Sequence, residues 1–209
     1  MELFYGRNSG NSARSVFALE ESGVPFTRRL LDTRKGENRT ADYLAVNPMG
    51  KIPALSDGAF RLWESNAINW YVAERHPSAG LLPGSVEGRA AVQRWLFFQA
   101  AHVSPACALV FRATNRRMQD FWNMTGDAHT AEAGRKELAR WLPVLEDALG
   151  HKEWLEGTFS LGDIAYAPHL WLVIEGGFDF APYPAVRAWL DRLYARSAWK
   201  KAAAAVFGA

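Results

Sequence analysis

The N-terminal part of the chain carries the pattern that most restricts the fold: a strand, a helical period and a second strand in close succession. Residues 3–5 predict a strand that ends at Gly6, and residues 12–22 carry apolar side chains at helical spacing. Gly23 follows where a helix commonly ends, and residues 24–31 predict the second strand. A strand, a helix and a strand within about thirty residues form a βαβ unit, which requires a parallel strand pair and a right-handed crossover.

The next part of the chain predicts a short helix, a hairpin and a second full helix. Residues 40–46 predict the short helix, which ends before a proline. Two apolar runs, residues 53–56 and 60–63, flank Asp57-Gly58, a typical hairpin sequence. A helical period follows, with its apolar residues on one face. Strand–helix–strand and then strand–strand–helix is the order of a thioredoxin-like α/β domain.

A change of composition divides the chain in two. From residue 76 to residue 85 the chain is rich in Pro, Gly and Ser, which is typical of a linker. After it, only helical periods appear. We therefore predict a thioredoxin-like α/β domain over residues 1–76, a linker over 77–85 and an all-α helical domain over 86–209.

Charge and cysteine content narrow the possible functions. The 24 basic and 22 acidic side chains nearly cancel, which argues against a nucleic-acid partner. Cys107 is the single cysteine, so no internal disulfide forms and a reducing compartment is expected. No signal-peptide pattern and no apolar stretch near the roughly 20 residues of a membrane span are evident. We expect a soluble, cytoplasmic protein without a membrane partner.

Residues 47–55 predict a site for an extended peptide. Ile52-Pro53 lies between a glycine turn and a short strand. A cis bond there turns the chain sharply and leaves the Ile52 N–H and C=O facing outward, because Pro53 has no N–H to donate. An outward backbone pair binds a second extended backbone as the edge of a sheet does.

Glu64-Ser65 adds charge recognition to this predicted site. The pair opens a helical segment, so a carboxylate, a hydroxyl and free backbone N–H groups lie together at a helix N-terminus. Such a terminus attracts an anionic group, while the Glu64 carboxylate accepts an ammonium group. Together with residues 47–55, it predicts a site for a small zwitterionic peptide.

Residues 160–163, Ser-Leu-Gly-Asp, predict a helix start in the second half of the chain. Ser160 is expected to cap the helix and Asp163 to accept a hydrogen bond from the Ser160 N–H, the arrangement of a capping box. We expect these two residues to be structural and to lie outside any substrate site.

These motifs together resemble the cytosolic glutathione transferase family. The resemblance rests on residues 51–53, 64–65 and 9–12, and on residues 159–165, which resemble the family's C-terminal capping motif. The pattern is similar to serine-type members, theta- or zeta-like and of the bacterial type. It implies glutathione as co-substrate, no metal, a homodimer, and a detoxifying transferase whose glutathione thiolate attacks an electrophilic small molecule.

The resemblance leaves alternatives open. One is a glutathione-binding or scaffold protein of the same fold with little turnover, although the intact set of site residues favours an enzyme. Isomerase, dehalogenase and peroxidase activities use the same half-site, so the sequence does not separate them or identify the electrophile.

Three residues are candidates for the donor to the glutathione sulfur: Ser9, Ser12 and Tyr5. A free thiol has a pKa near ~8.5, and lowering it by about two units requires ~2.7 kcal/mol of preferential stabilisation of the anion. A hydroxyl at a helix N-terminus supplies part of this. The resemblance favours Ser9, whose spacing from Leu3, Arg14 and Gly23 is similar to the family's, whereas Ser12 is also a candidate helix cap and Tyr5 belongs to the strand. Asn11 is either a second donor or a turn residue.

Basic and polar residues near the peptide site are candidates for the glutathione carboxylates. Lys51 is expected to pair with the glycine carboxylate. Asn38 and Arg39 fall where similar proteins place a basic contact, but the family's usual His is absent at Asn38. Arg7 is expected either to steer the anionic peptide or to form a surface ion pair.

The helical half supplies candidates for the electrophile pocket. Phe98, His102 and Phe111 lie on a predicted long helix over residues 86–111, and Trp122 lies just beyond it. His102 is alternatively a polar core or interface group, and nothing near it has metal-ligand spacing. We expect a buried, inert Cys107, and core positions for four tryptophans: Trp95, Trp141, Trp171 and Trp189.

The segment 61–70 predicts a subunit interface. Its helix covers its own sheet with one face, which leaves Trp70 or Asn66 for another surface. Similar proteins pair this region with the long helix of a twofold mate, and C2 dimers are the commonest oligomers.

Overall fold

The computed structural model describes residues 1–208, which divide into two compact units. The N-terminal unit contains residues 1–81 together with the described part of the segment 197–209, and the helical unit contains residues 82–196. The predicted fold class, a thioredoxin-like α/β part and an all-α part, is confirmed.

The sheet of the N-terminal unit has four strands. They are β1 (Glu2–Tyr5), β2 (Thr27–Leu30), β3 (Ala54–Asp57) and β4 (Phe60–Trp63), in the spatial order β2-β1-β3-β4. The first pair is parallel and the other two are antiparallel, so the predicted βαβ unit and hairpin are both present. Leu3 lies opposite Arg28 on one side and Leu55 on the other.

Three helices alternate with these strands along the chain. The first, α1 (Gly10–Ser22), lies between β1 and β2, α2 (Ala41–Leu44) lies between β2 and β3, and α3 (Ser65–Arg75) follows β4. The first begins two residues before the predicted start, because Ser9 caps it and Gly10 and Asn11 belong to its first turn. It ends at Gly23, as predicted, with a left-handed φ of 65°.

The helical unit contains seven α-helices and one wide turn. The helices are α4 (Val86–Phe98), α5 (Ser104–Thr114), α6 (Arg116–Trp122), α7 (Ala128–Leu149), α8 (Leu161–Ile164), α9 (Ala167–Glu175) and α10 (Pro184–Ala195). A π-helical turn, Gln99–Val103, joins α4 to α5. It directly precedes Ser104-Pro105, where proline lacks the N–H that a regular α-helix requires.

The run Val86–Thr114 differs from the sequence expectation about apolar stretches. By length and composition alone this 29-residue helical run is long and apolar enough to span a membrane. Core helices of soluble proteins pass the same test, so the finding is weak evidence for a span.

The predicted capping box is present at α8. Ser160 Oγ accepts from Gly162 N at 3.2 Å, and Asp163 Oδ2 accepts from Ser160 N at 2.9 Å. The other carboxylate oxygen accepts from Leu155 N and from Trp189 Nε1, each at 3.0 Å. Burial raises the pKa of the Asp163 carboxyl, and these hydrogen bonds oppose that rise.

The last helix, α11 (Ser197–Phe207), corrects the predicted domain boundary. Residues 86–209 were expected to form one helical domain, but α11 belongs to the N-terminal unit. The Trp199 ring packs against Phe17 of α1 at 5.6 Å between centroids. Lys201 also forms an ion pair with Glu20, at 3.0 Å. The chain therefore returns to its first domain to complete the apolar cover of α1.

The tryptophan expectations hold in part. Trp95 and Trp189 are buried, as predicted, whereas Trp141 and Trp171 are only half-buried. Cys107 is fully buried, as predicted.

Candidate functional site

Ser9 lies in the loop between β1 and α1. Its Oγ accepts from Ser12 N at 3.2 Å, which makes it the N-cap of α1. A hydroxyl also has one hydrogen to donate. Within residues 1–208 no acceptor takes it, and Ser9 is only half-buried, so this hydrogen is available to an outside group.

Ser12 has a different position. Its side chain is 0% exposed, and its Oγ accepts from Gly6 N at 3.2 Å. The expectation that Ser12 caps the helix is wrong, because the cap is Ser9. Ser12 instead holds the loop after β1 in place through this hydrogen bond. Tyr5 lies in β1 opposite Leu30, as expected of a strand residue.

Arg14 is a residue that the sequence analysis did not propose for the site. It is 3% exposed, and its Nη1 donates to Asn11 Oδ1 at 3.1 Å and to Ser65 Oγ at 2.8 Å. The guanidinium therefore joins the first turns of α1 and α3. An arginine among the apolar positions 13, 16 and 17 of a helix was the available signal, since arginine is seldom fully buried without a specific partner.

Asn11 lies in the first turn of α1 and is exposed. The alternative of a turn residue is therefore wrong, and the neighbouring residue with a turn conformation is Asn8, with a φ of 52°. The side-chain oxygen of Asn11 is used by Arg14, so its NH₂ group is what remains for a ligand.

The segment around Ile52-Pro53 is built as the sequence predicts. The peptide bond is cis. The Lys51 carbonyl accepts from the Tyr43 hydroxyl and from Asn47 Nδ2, the latter at 2.7 Å. The N–H and C=O of Ile52 make no hydrogen bond within residues 1–208. A fixed Lys51 carbonyl thus precedes a backbone pair that is available to an extended peptide.

Asn38 and Arg39 hold the segment before Lys51. Asn38 Nδ2 donates to the Gly50 carbonyl at 2.6 Å, and Arg39 Nη1 donates to the Met49 carbonyl at 3.2 Å. Gly50 has a φ of 60°, and a Cβ there would lie 2.9 Å from the Asn38 carbonyl oxygen. Only glycine fits this position. Asn38 therefore positions the loop. The Lys51 side chain is exposed and ends in an ammonium group.

Glu64 and Ser65 form the entrance to α3. Glu64 has φ 70° and ψ 114°, a conformation that costs a non-glycine residue about 1–3 kcal/mol. Its carboxylate is exposed and forms no ion pair within residues 1–208. Ser65 is the first residue of α3 and is 5% exposed. Strain of this kind is typical of residues that face a ligand.

The structure brings the three predicted segments together within the N-terminal unit. Arg14 connects the Ser9 loop to Ser65, as described above. The Ile52 side chain packs against Gly6, so closely that a Cβ at Gly6 would lie 2.3 Å from Ile52 Cδ1. A hydroxyl, an open backbone pair, a helix N-terminus and a free carboxylate therefore belong to one cluster.

The candidates of the helical unit do not form one group. The Phe98 ring meets Trp141 edge to face and the His102 ring lies tilted against it, with ring centroids 5.9 and 4.6 Å away. His102 is exposed, so the expectation of a polar core residue is wrong. Phe111 is buried against His169 at 5.9 Å, and Trp122 packs on Phe121 near the end of α6.

Residues 1–208 contain no group of three or more His, Cys, Asp or Glu side chains that could hold a metal ion.

Two family models and several relatives match the sequence of this chain. The glutathione S-transferase N-terminal domain matches residues 1–74, and the glutathione S-transferase C-terminal domain matches residues 127–192. Glutathione S-transferase F10 of Arabidopsis thaliana is 36% identical over 200 residues, which cover 93% of this chain and 92% of the relative. GstB of Escherichia coli K12 is 30% identical over 205 residues, 96% of this chain and 97% of the relative.

Solved structures point the same way. A theta-class glutathione S-transferase of Xanthomonas axonopodis pv. citri, with glutathione bound, has a TM-score of 0.86 at 29% identity and covers 96% of this chain and 95% of its own. Glutathione S-transferase-I with lactoylglutathione has a TM-score of 0.88 at 27% identity, with 97% and 98% covered.

The chain belongs to the glutathione S-transferase family. It is a glutathione transferase, with glutathione as its co-substrate. The enzyme activates the glutathione thiol as a thiolate for attack on an electrophilic small molecule.

Proposed function

We propose that Ser9 is the catalytic donor that stabilises the glutathione thiolate. The supporting observation is that Ser9 Oγ uses its acceptor capacity to cap α1 and keeps its hydrogen for an outside group. A hydrogen bond to an anion contributes about 1.5–3 kcal/mol, and the N-terminus of α1 adds roughly 0.3–1 kcal/mol. Together these supply the ~2.7 kcal/mol that a two-unit fall in the thiol pKa requires.

The chemical step follows from this assignment. The thiol proton leaves to solvent, and Ser9 donates its hydrogen bond to the resulting sulfur anion. In a substitution, the sulfur forms a bond to the electrophilic carbon while the bond to the leaving group breaks and the leaving group departs with its electron pair. In an addition, the π bond of the electrophile breaks, its electron pair moves to the acceptor atom, and that atom takes a proton from solvent. Ser9 keeps its own proton throughout, so it is a donor and no covalent serine intermediate forms.

Glutathione binding is proposed to use each part of the cluster for one part of the peptide. The backbone of Ile52 pairs with the central residue of glutathione, and Pro53 ends that edge. Glu64 binds the ammonium, while Ser65 and the start of α3, backed by Arg14, bind the γ-glutamyl carboxylate.

The glycine end of glutathione is proposed to face the cationic side of the site. Lys51 binds the glycine carboxylate, and Arg39 contributes positive charge nearby. Asn38 acts through the loop that it holds, by its hydrogen bond to Gly50. Asn11 is proposed as a second donor to the sulfur, through its NH₂ group.

The class of transferase is also a proposal. The Ser9 geometry supports a serine-type enzyme. Several relatives are plant phi-class enzymes and one structural neighbour is named theta-class, so phi stands beside the theta- or zeta-like assignment. A role in detoxification in the cytoplasm, on an electrophile that contacts Phe98, His102, Phe111 or Trp122, fits this class.

A homodimer is proposed from the exposed apolar residues of each unit. Phe60 and Trp63 of β4 are 47% and 38% exposed, and Phe97 of α4 is 71% exposed. Exposed apolar side chains of this size are candidates for contact with a second copy of the chain, and twofold dimers are the commonest homo-oligomers. Sedimentation is expected to give about twice the 23.3 kDa of one chain, and an active monomer at micromolar concentration would contradict the dimer.

The Ser9 proposal is tested by the thiolate absorbance of bound glutathione as a function of pH. Ser9→Ala is expected to raise the pKa of the bound thiol by about one to two units, and to lower turnover about 10- to 1,000-fold with little change in glutathione affinity. Ser12→Ala is the matched control, because Ser12 is a buried serine in the first turn of α1, beside the Ser9 loop. A normal thiol pKa in Ser9→Ala would overturn the assignment, and glutathione binding without turnover in the wild type would favour a scaffold.

A further inference from the structure

The N-terminal unit contains a cavity apart from the glutathione cluster. Its volume is about 380 Å³, and it lies among β2, the end of β1 and α2. Small-molecule sites in proteins typically have volumes of about 300–1,000 Å³. Its lining includes none of Ser9, Lys51, Ile52, Glu64 and Ser65.

The floor of this cavity is apolar and aromatic. Phe4, Leu31 and Tyr43 line it and belong to one small core cluster, against which Val46 packs. The rings of Phe4 and Tyr43 lie 5.6 Å apart. An aromatic floor of this kind accepts a planar apolar group by stacking or by edge contact.

The rim of the cavity carries exposed side chains of both charges that form no ion pair within residues 1–208. The Arg29 guanidinium lies 5.4 Å from the centre of the Phe4 ring and forms no ion pair or hydrogen bond within residues 1–208. The Asp42 carboxylate, at the start of α2, has no such partner in the same range either. Glu37 also lines the cavity, with one oxygen accepting from Asp32 N at 2.7 Å.

A second cavity, in the helical unit, differs from this one because its charged side chains are paired. It is lined by residues of α5, α6 and the following loop, among them Arg116 and Asp120. These two side chains form an ion pair with each other at 2.8 Å, so each charge already has a partner of opposite sign.

We propose that the Arg29 cavity binds a small zwitterion with an aromatic side chain, of the kind found in free aromatic amino acids. Arg29 binds the carboxylate, Asp42 binds the ammonium and the aromatic group lies on Phe4 and Tyr43. Glutathione fits this site less well, because it has two carboxylates and no aromatic group. The site goes beyond the transferase reaction and does not depend on the Ser9 assignment.

The cavity has one connection to the glutathione cluster. Tyr43 lines the cavity, and its hydroxyl donates to the Lys51 carbonyl next to the open Ile52 backbone. Burial raises the pKa of Tyr43 to about 12, so this donor keeps its proton at neutral pH. An occupant of the cavity therefore touches a residue that holds the glutathione segment.

Calorimetry with L-phenylalanine, phenylacetate and phenethylamine tests the proposal on the full chain. L-phenylalanine is expected to bind saturably, and the two probes that lack one charge are expected to bind at least about 10-fold more weakly. Arg29→Gln and Asp42→Asn are each expected to weaken L-phenylalanine binding about 10-fold. Arg29→Gln is expected to leave glutathione affinity unchanged.

Arg28→Gln is the matched control. Arg28 is the neighbouring exposed arginine of β2, does not line the cavity and contacts Phe26 and Glu20 instead. The proposal is overturned if L-phenylalanine shows no saturable binding up to about 10 mM. It is equally overturned if the three probes bind alike, if Arg28→Gln weakens binding as much as Arg29→Gln, or if glutathione competes fully with L-phenylalanine.

Discussion

Two buried charged side chains, Arg14 and Asp163, lie at helix N-termini in the two units and have different surroundings. Asp163 is 0% exposed, and its hydrogen-bond donors include two backbone N–H groups and the buried Trp189 indole. Arg14 is 3% exposed and donates to Asn11 and Ser65, which are side chains at two helix starts of the glutathione cluster. Similar burial thus accompanies different partners.

The difference teaches how to separate a structural charge from a functional one. A charge whose partners are backbone and core groups holds the fold, because any loss leaves buried donors without an acceptor. A charge whose partners are polar side chains at open helix ends also sets the electrostatic potential of a site. Variants of these residues and of Glu64 test whether a buried charge acts on stability or on glutathione binding.

Removing Asp163 is expected to give the largest effect. Asp163→Ala leaves the donors of Leu155, Ser160 and Trp189 without an acceptor. Because each unsatisfied buried donor costs about 1–3 kcal/mol, the free energy of unfolding is expected to fall by about 3 kcal/mol or more. Urea denaturation measures it, and Asp147→Ala, an exposed position on α7, is the control with little expected change. A stable Asp163→Ala protein would show that the capping box is dispensable.

Replacing Arg14 is expected to affect binding more than folding. Arg14→Met removes the positive charge behind Ser65, so the glutathione dissociation constant is expected to rise about 10-fold or more. Calorimetry measures affinity, urea denaturation measures stability, and Arg28→Met is the exposed control. A stability loss as large as in Asp163→Ala, with unchanged affinity, would place both charges in the same structural role.

Glu64→Gly is expected to separate stability from binding at one residue. Glycine adopts a φ of 70° without strain, so unfolding free energy is expected to rise by about 1 kcal/mol, while the loss of the ammonium partner weakens glutathione about 10-fold. Glu64→Gln, which keeps the strain, is the matched control for stability. Unchanged affinity in both variants would remove Glu64 from the site.

The smallest expected effect is a pH dependence from Asp163. Burial raises the pKa of this carboxyl above 3.8 in the folded state, so the folded protein binds more protons than the unfolded one in this range. The part of the stability that comes from protonation of Asp163 is therefore fully present below pH 3.8 and is lost as the pH rises through the folded pKa. Urea denaturation of the wild type and Asp163→Asn between about pH 3.5 and 6 measures it. An opposite slope of the difference would show that the hydrogen bonds outweigh burial.

Several features of both units follow from local sequence. The βαβ unit, the hairpin at Asp57-Gly58 and the Ser160–Asp163 capping box depend on periodicity, glycine positions and cap chemistry within a few residues. The Ile52-Pro53 turn belongs to the same group. Such features can be predicted from the sequence because their physical cause lies within one short segment.

The sequence indicated several residues of the cluster around Ser9 but not Arg14. The sequence pointed to Ser9, Glu64 and Ser65. Which serine caps α1 and which accepts a hydrogen bond from the Gly6 N–H depends on how the loop packs, and the structure assigns these roles to Ser9 and Ser12. The Arg14–Ser65 hydrogen bond joins residues 51 positions apart, and no local pattern encodes it.

The sequence by itself determined the α/β and all-α parts, the order of elements in the N-terminal unit and the segments of the proposed glutathione site, because these follow from local periodicity and turn chemistry. The tertiary structure alone decided that α11 belongs to the N-terminal unit and that His102 is exposed on Trp141. The Lys201–Glu20 contact spans 181 positions. A helix that is apolar on one face does not encode which distant surface covers it, because hydrophobic burial is non-directional and only the packed fold selects the partner.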